Sequence, residues 1–255
     1  AGTVTVSGTS TIANAETISA FAKAVTYSIS DSSDNALAAA DAAYNEAVDI
    51  TITGNLTFAK AELIKEASNT GTKTYVINDA ASILAGAVDS TTGSVADVET
   101  INGATTVTAN TSATFAEAAK LAGIAKAISY SISDEQSNIP ESTTGALNEA
   151  VNIVITNDVT FAQAKIIDDA SNSGSNTYNI SDTATNLAAG VVTSVTAING
   201  AGTVTSGTAT AAQGSTLASI SQSVTYDISD TIANIVSNVG GLNEAKDITA
   251  TDSCT

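Results

Sequence analysis

Seven polar residues recur at points where an alternating apolar stretch ends and an alanine-rich stretch begins: Asp31, Asn55, Asp79, Asn110, Asp134, Asp158 and Asp182. Their spacings are 24, 24, 31, 24, 24 and 24 residues, and we place a seven-residue insertion of the longer step at Val88–Ser94. Such side chains at a strand-to-helix junction can do two kinds of chemistry. Their oxygens can accept hydrogen bonds from the first amides of the following helix. Stacked carboxylates can instead bind Ca²⁺, which takes oxygen ligands in irregular geometry.

The capping interpretation is favoured over the calcium interpretation. Asp alternates with Asn in the row, and the Gly-Gly-x-Gly-x-Asp nonapeptide of calcium-binding β-rolls does not occur. We therefore predict no metal-binding residue and no resident cofactor, and Ca²⁺ stays the alternative. The sequence also contains no nucleophile elbow, P-loop or dinucleotide fingerprint, so we predict no catalytic and no cofactor-binding residue.

The composition excludes several classes of function. Eight lysines face 26 acidic residues, the net charge is −18, and the sequence contains no Arg and no His. Phosphate recognition recruits Arg and Lys clusters, so no nucleic-acid partner is expected. Without His the commonest general base is missing, and we predict that the chain is not an enzyme. No apolar run reaches 18 residues, so no membrane insertion is expected.

One repeating unit of about 24 residues reads as a strand followed by a short helix. Val48, Ile50 and Ile52 alternate with polar residues, which is typical of a strand with one buried face. The same inward rows recur as Val25/Tyr27/Ile29, Ile128/Tyr130/Ile132, Val151/Ile153/Ile155 and Val224/Tyr226/Ile228. In the following segment, spacing predicts one buried helical face made of Leu56, Ala59, Leu63 and Ala67, repeated by Val159, Ala162, Ile166 and Ala170.

These units predict an α/β repeat fold, a right-handed β/α solenoid with one parallel sheet and helices on one face. About eleven strands are expected, starting near residues 3, 25, 48, 73, 105, 128, 151, 176, 202, 224 and 247. Thr26–Asp31 returns 103 residues later as Ser129–Asp134, which groups four units into super-repeats at roughly 1–104, 105–201 and 202–255. We predict a single solenoid over 1–255. Terminal strands without a polar cap unit favour a piece of a longer repeat protein.

The residues that alternate with the inward rows predict an open, hydroxyl-rich sheet face: Thr3/Thr5/Ser7, Thr26/Ser28/Ser30, Asp49/Thr51/Thr53, Ser129/Ser131/Ser133, Thr177/Asn179/Ser181, Thr225/Asp227/Ser229 and Asp247/Thr249/Thr251. This face is either simply solvated, a weak multivalent contact for glycan or protein, or a surface that orders water. An aromatic row has inward parity and is predicted to be a buried stack whose hydroxyls reach a turn: Tyr27, Tyr75, Tyr130, Tyr178 and Tyr226.

Smaller features complete the sequence. Core packing is predicted for Phe58, Phe115 and Phe161. Left-handed backbone at helix ends is predicted for Gly71 and Gly174. Glycosylation sequons begin at Asn55, Asn110 and Asn179, although chance predicts a few in a chain so rich in Ser and Thr. The lone Cys254 excludes an internal disulfide and leaves a neutral substitution or an intermolecular link.

Two phrases resemble repeats of very large secreted and cell-surface proteins of bacteria, marine cyanobacteria in particular: Tyr178-Asn179-Ile180-Ser181-Asp182-Thr183-Ala184-Thr185-Asn186-Leu187-Ala188-Ala189 and Leu147-Asn148-Glu149-Ala150-Val151-Asn152-Ile153. The likeness covers nearly the whole chain, and an Ile-Ser-Asp-x-x-x-Asn-Leu phrase carries it. It implies a surface layer, adhesin or motility-related envelope component, and similar repeats also suit a viral fibre. The resemblance implies no catalytic residue.

The sequence as a whole predicts a non-enzymatic extracellular structural segment, acting as stalk, spacer or building block of a cell-surface layer, filament or adhesin. The expected partner is the chain itself or a neighbouring repeat, through end-to-end stacking at open sheet edges. The alternative is a glycan- or receptor-binding module that uses the Ser/Thr/Asn-rich sheet face. A polysaccharide-cleaving enzyme ranks third, because its candidate acids Asp49, Asp227 and Asp247 lie in separate units.

Overall fold

The structure is a computed structural model that describes residues 4–36, 41–89 and 93–252. The chain divides into two compact units, the first containing 1–113 and 117–130 and the second containing 114–116 and 131–255. Both units alternate short strands with short helices. The fold class is therefore α/β, as the sequence predicts. Thr3 and Cys254 lie outside the described residues.

The first part of the chain, up to Ser129, holds six described strands and six described helices. The strands are β1 (Val4–Ser10), β2 (Val25–Ser32), β3 (Ile50–Leu56), β4 (Lys73–Asp79), β5 (Val107–Ala109) and β6 (Ile128–Ser129). The helices are α1 (Ile12–Ser19), α2 (Asp41–Glu46), α3 (Phe58–Glu66), α4 (Ala81–Ala87), α5 (Val95–Gly103) and α6 (Phe115–Leu121). The predicted insertion corresponds to the segment between α4 and α5, of which residues 90–92 lie outside the described ranges.

The second part of the chain continues the alternation with shorter strands. The strands are β7 (Ile132–Asp134), β8 (Ile153–Ile155), β9 (Asn176–Thr177), β10 (Ile180–Asp182), β11 (Val204–Ser206), β12 (Val224–Thr225), β13 (Ile228–Asp230) and β14 (Ile248–Ala250). The helices are α7 (Gly145–Glu149), α8 (Phe161–Asp168), α9 (Ala184–Thr193), α10 (Val195–Asn199), α11 (Ala211–Leu217) and α12 (Ile232–Ser237). Two short 3₁₀ helices cover Gln136–Asn138 and Val239–Gly241.

Every sheet is parallel and open, and within each sheet a strand pairs with the strand that follows it in the chain. The six strands β1 to β6 form one sheet, and the later strands form sheets of β7 to β9, β10 to β12 and β13 with β14. The predicted parallel pairing is therefore confirmed. The prediction of one sheet is wrong for the described residues, since the strands fall into four sheets.

Bulges explain why the later strands are split. Val154 pairs with Thr177 and Val159 pairs with Ile180, so the four residues 155–158 lie opposite the two residues 178–179. The hydrogen-bond ladder is interrupted there, and β9 ends before β10 begins. All eleven predicted strand starts fall within two residues of an observed strand, but three of these strands are split, giving fourteen in the described ranges. In the first of the two compact units, strands β1 and β3 contain similar bulges and remain continuous.

The core lies along the inward rows of the strands. Tyr27, Ile29, Ile50 and Ile52 are each at most 3% exposed, as their parity predicts. Val48 is 44% exposed because β3 begins only at Ile50, so its predicted burial is wrong. Phe58 and Phe115 are buried as predicted, whereas Phe161 is only partly buried.

The predicted buried face of the helices is shifted. In α3 the buried residues are Phe58, Ala61 and Ile64, whereas Ala59 and Leu63 are exposed. In α8 the buried residues are Ala164 and Ile167, and Ala162 is exposed. Leu56, Ala67 and Val159 are buried as predicted, but the prediction is wrong for Ala59, Leu63 and Ala162, because it counted Leu56 and Val159 as part of the helix. Both residues belong to the preceding extended segment, so the helical period starts later.

Gly71 and Gly174 are not glycine for the predicted reason, which was a left-handed backbone conformation. Positive φ occurs, among the described glycines, at Gly8 and Gly54, both at +87° in the bulges of β1 and β3. The left-handed prediction for Gly71 and Gly174 is therefore wrong. A Cβ at Gly71 would overlap the carbonyl oxygen of Val48, and one at Gly174 would overlap that of Val151. Glycine is required there because the preceding unit's backbone passes too close for any side chain.

Candidate functional site

The carboxylate row at the strand ends has a repeated geometry. Each of five aspartates accepts a hydrogen bond through Oδ2 from the first amide of the helix in the preceding strand–helix unit. The five pairs are Ile12 N with Asp31 at 2.9 Å, Phe58 N with Asp79 at 2.8 Å, Phe115 N with Asp134 at 2.8 Å, Phe161 N with Asp182 at 2.8 Å and Ala211 N with Asp230 at 3.1 Å. The aspartates are helix caps, as predicted, but they cap the preceding helix and not the following one.

The second carboxylate oxygen of the same aspartates is also occupied. In Asp134, Oδ1 accepts from the main-chain N–H of Glu135 and from Nδ2 of Asn138, both at 2.8 Å. The same pair of donors recurs four times as Ser32/Asn35, Glu135/Asn138, Thr183/Asn186 and Thr231/Asn234. These N–H groups direct partial positive charge at the carboxylates, so a cation at the same oxygens would compete with the cap.

Hydroxyl groups satisfy a second amide at several of these helix starts. Thr160 Oγ1 accepts from Gln163 N at 3.3 Å, and Gln163 Oε1 accepts in return from Thr160 N at 2.9 Å. Thr210 and Gln213 form the same capping box in α11. The helix start of α8 therefore has its first amide capped by Asp182 and its third amide capped by Thr160, two of the four amides that a helix leaves unpaired.

The hydrogen bonds lower the pKa of three of the capping aspartates. Partial burial acts to raise the pKa of Asp31, but hydrogen bonds from Asn35, Ile12 and Ser32 outweigh it and lower that pKa below its usual value. The same balance lowers the pKa of Asp134, with Asn138, Phe115 and Glu135 as donors. For Asp230 the hydrogen bond from Asn234 is the largest cause of a lowered pKa. These carboxyl groups are thus held in the charged form that accepts the amides.

The remaining predicted row members do not join the caps. Asn55, Asn110 and Asp158 are exposed, and their side chains accept no helix amide in the described structure. The helices of alternate units are capped by other residues, namely Thr111 for Ala81, Asn157 for Gln136 and Asp252 for Ile232. Sequence reasoning missed Thr111, Asn157 and Asp252, because it treated all units as alike where two kinds of unit alternate. It also missed Asp230, which lies two periods of 24 residues after Asp182. The phrase Tyr-x-Ile-x-Asp, present at Tyr226–Asp230, was a signal that could have found Asp230.

The tyrosine row is buried, as predicted, and it is not a binding strip. The five side chains are each at most 2% exposed. Tyr27 donates to the carbonyl of Ala43, Tyr75 to Thr100 and Tyr178 to Ala197, at 2.8 to 2.9 Å. These acceptors lie in short helices and not in turns, which corrects the prediction. Burial raises the pKa of Tyr75 to about 12, so this hydroxyl stays a donor at neutral pH.

The polar sheet face is open, as predicted from parity. None of its described residues is buried. Some of its side chains bridge neighbouring units, since Asp49 accepts from Thr72 N at 2.8 Å and Asn179 accepts from Thr203 N at 3.0 Å. This face therefore presents hydroxyl and carboxamide groups at spacings that the parallel backbone sets.

Three surface depressions among the described residues are lined by no recognisable catalytic set. One of about 230 Å³ lies beside Tyr44 and Leu63, and one of about 500 Å³ lies between Val98 and Ile124. A third, of about 410 Å³, contains Glu16, Asp31 and Asp34. Within the described ranges, no group of three or more His, Cys, Asp or Glu side chains could hold a metal ion.

Comparison with known proteins adds no functional assignment. No family model, no curated protein and no solved structure matches the chain. Along the residues that the structure describes, no helix has both the length and the apolar character needed to cross a lipid bilayer.

Proposed function

We propose that the chain is a non-enzymatic extracellular structural segment whose strand–helix units stack as a right-handed β/α solenoid. It serves as stalk, spacer or building block of a cell-surface layer, filament or adhesin, and it associates end to end with itself or with neighbouring repeats. The observation that carries the proposal is the cross-unit cap, in which an aspartate of one unit completes a helix of the unit before it, five times along the chain. Such a cap ties each unit to its neighbour, which supports a role as a stacked structural repeat.

Parallel pairing between consecutive units supports the same proposal. A sheet of this kind grows by adding one unit at a time, and its two outer strands keep unpaired main-chain groups. In β14 the exposed fraction of Ile248 is 47%, whereas the equivalent Ile50 of β3 is fully buried. A further strand at this edge would bury apolar surface and pair the open backbone.

Electron microscopy of the purified chain tests the proposal. Filaments or sheets of end-to-end units are expected, and the sample is imaged with and without millimolar Ca²⁺, a range in which extracellular modules bind it. Mg²⁺ at equal concentration is the control for charge screening, because the net charge is −18. Dispersed single particles under all conditions would contradict self-assembly, and assembly that needs Ca²⁺ but not Mg²⁺ would assign the cation a specific role.

The second candidate is a binding module that uses the open Ser/Thr/Asn face. Its support is that the described residues of this face stay accessible while most residues of the inward rows are buried. A glycan array probed with the labelled chain tests it, with Thr51→Lys and Ser28→Lys as variants on this face. Binding that survives both variants would contradict recognition through the face.

A further inference from the structure

We propose that Asn110 is a site of N-linked glycosylation, modified by an oligosaccharyltransferase that recognises Asn-x-Ser/Thr. The inference rests on the extracellular role proposed above, because these enzymes act on chains that enter a secretory route. Three sequons occur in the sequence, at Asn55, Asn110 and Asn179. In the structure the three sequons differ in how accessible the asparagine and the two residues after it are.

The sequon at Asn110 is the accessible one. Asn110, Thr111 and Ser112 are all exposed, and they lie in the irregular segment between β5 and α6. The main chain of this segment is anchored, since Asn110 N donates to the carbonyl of Asp79 at 2.8 Å. The Asn110 carboxamide itself makes no hydrogen bond in the described structure. Asn110 is therefore an exposed residue on a segment whose backbone is anchored.

The hydroxyls of this sequon have separate tasks. Thr111 Oγ1 accepts from Ala81 N at 3.0 Å and so caps α4. Ser112 stands at the third sequon position, where the transferase requires a hydroxyl, and its exposed side chain caps no helix in the described structure. The transferase can therefore recognise the Ser112 hydroxyl without breaking the hydrogen bond from Ala81 N to Thr111.

The other two sequons are held by the fold. Asn55 is followed by Leu56, which is fully buried, and both lie within β3. Asn179 is followed by Ile180, which is 1% exposed. The Asn179 Oδ1 atom also accepts from Thr203 N at 3.0 Å and lies 2.8 Å from where a Cβ on Gly202 would stand. Engaging either sequon would require a strand to leave its sheet.

The transfer is a substitution at a sugar carbon. The donor is an oligosaccharide linked to a lipid diphosphate. A bond forms between Nδ2 of Asn110 and the anomeric carbon, and the bond from that carbon to the diphosphate oxygen breaks. The lipid diphosphate leaves, and the amide proton passes to a base of the transferase. No oxidant or reductant is needed.

The first test uses the folded full chain as acceptor for a purified oligosaccharyltransferase with its lipid-linked oligosaccharide. Modified asparagines are mapped by mass spectrometry after enzymatic deglycosylation in ¹⁸O-labelled water. Modification of Asn110 is expected, with loss of the signal in Ser112→Ala and an unchanged melting temperature. Modification of Asn55 or Asn179 in preference to Asn110, or of none of the three, would overturn the proposal.

A second test separates this inference from the structural role. The chain is secreted from a glycosylating host behind a cleavable signal peptide, so that export does not depend on its native location. Glycosylated Asn110 without filaments would support the glycosylation site and contradict self-assembly. Filaments with unmodified Asn110 would support self-assembly and contradict the glycosylation site. Asn110→Gln is the matched loss variant, and Ser112→Thr is expected to raise the occupancy.

Discussion

At the scale of single residues, the aspartates of the Tyr-x-Ile-x-Asp phrases are the most consequential side chains. Each accepts a helix-terminal amide from the preceding unit and at least one amide beside it, and the charged acceptor makes these bonds stronger than neutral ones. Asp134 is the most buried of them, at 9% exposure. Removing the carboxylate would leave three N–H donors without their partner.

The substitution Asp134→Ala tests this account. We expect it to lower the free energy of unfolding by about 1–3 kcal/mol, through loss of the cap on Phe115 and of the bonds from Glu135 and Asn138. The measurement is urea denaturation followed by circular dichroism. Asp158→Ala is the matched control, since Asp158 is exposed and caps nothing in the described structure, and its effect should stay within about 0.5 kcal/mol. Equal effects would contradict the capping role.

Acid should destabilise the fold through the same residues. Because the pKa values of Asp31, Asp134 and Asp230 are lowered in the folded chain, the unfolded chain binds more protons, and stability rises with pH in this range. Their contribution is fully present above the unfolded value of about 3.9 and is lost as pH falls through the lower folded values. Glu62 opposes the trend, since burial and then Asp97 raise its pKa.

The check is the melting temperature between about pH 2 and pH 6, where these carboxyl groups titrate. A decline on acidification is expected, and it should be weaker in Asp134→Asn, whose carboxamide keeps an acceptor but does not titrate. A profile that is flat, or equally steep in the variant, would argue against this linkage.

At the scale of elements, close approach between consecutive units decides which turn residues are allowed. Gly71→Ala is expected to cost about 1–3 kcal/mol, because the new methyl group would overlap the carbonyl of Val48. Gly86→Ala is the control: a Cβ there meets nothing within 4 Å inside α4, and it should stabilise by about 0.5–1 kcal/mol. Thermal unfolding of both variants measures the contrast, and two effects of the same sign would contradict it.

The open edge of β14 offers a test of end-to-end assembly. Thr251 N donates to Asp230 and Ile228 N donates to Asp247, so the alternation of a parallel ladder directs the N–H of Ala250 away from β13. Ala250→Pro removes that N–H without removing a bond to β13, and proline is tolerated on an edge strand. Filaments should shorten or disappear in this variant and persist in Ala250→Thr. Unchanged filaments in the proline variant would exclude this edge as the contact.

At the scale of the whole molecule, the net charge of −18 affects solubility and association but does not determine the fold. With so few cations, the described side-chain ion pairs are Lys65 with Glu99, Lys120 with Asp89 and Lys165 with Asp169. Exposed pairs of this kind contribute little stability. Cohesion therefore depends on buried apolar rows and on hydrogen bonds between units.

Much of the fold was predictable because strand periodicity is local. Alternation placed all eleven strand starts within two residues and assigned Tyr27 and Ile50 to the core. The helices were harder, because a segment of nine residues such as Phe58–Glu66 contains too few turns to define its face. The predicted helix starts at Leu56, two residues before the observed start at Phe58. Ala59 and Leu63 were therefore assigned to the buried face, although both are exposed.

The amino-acid sequence by itself determined the repeating α/β class, the parity of the strands and the presence of a polar residue at each strand end. Those properties follow from residue type and spacing within one unit. The tertiary structure alone decided that Asp31 caps Ile12 and not its own helix, that Gly71 is needed for close approach, and that Asn110 is accessible while Asn179 is held. These are contacts between units, and they depend on how two segments about 20 residues apart are brought together in space.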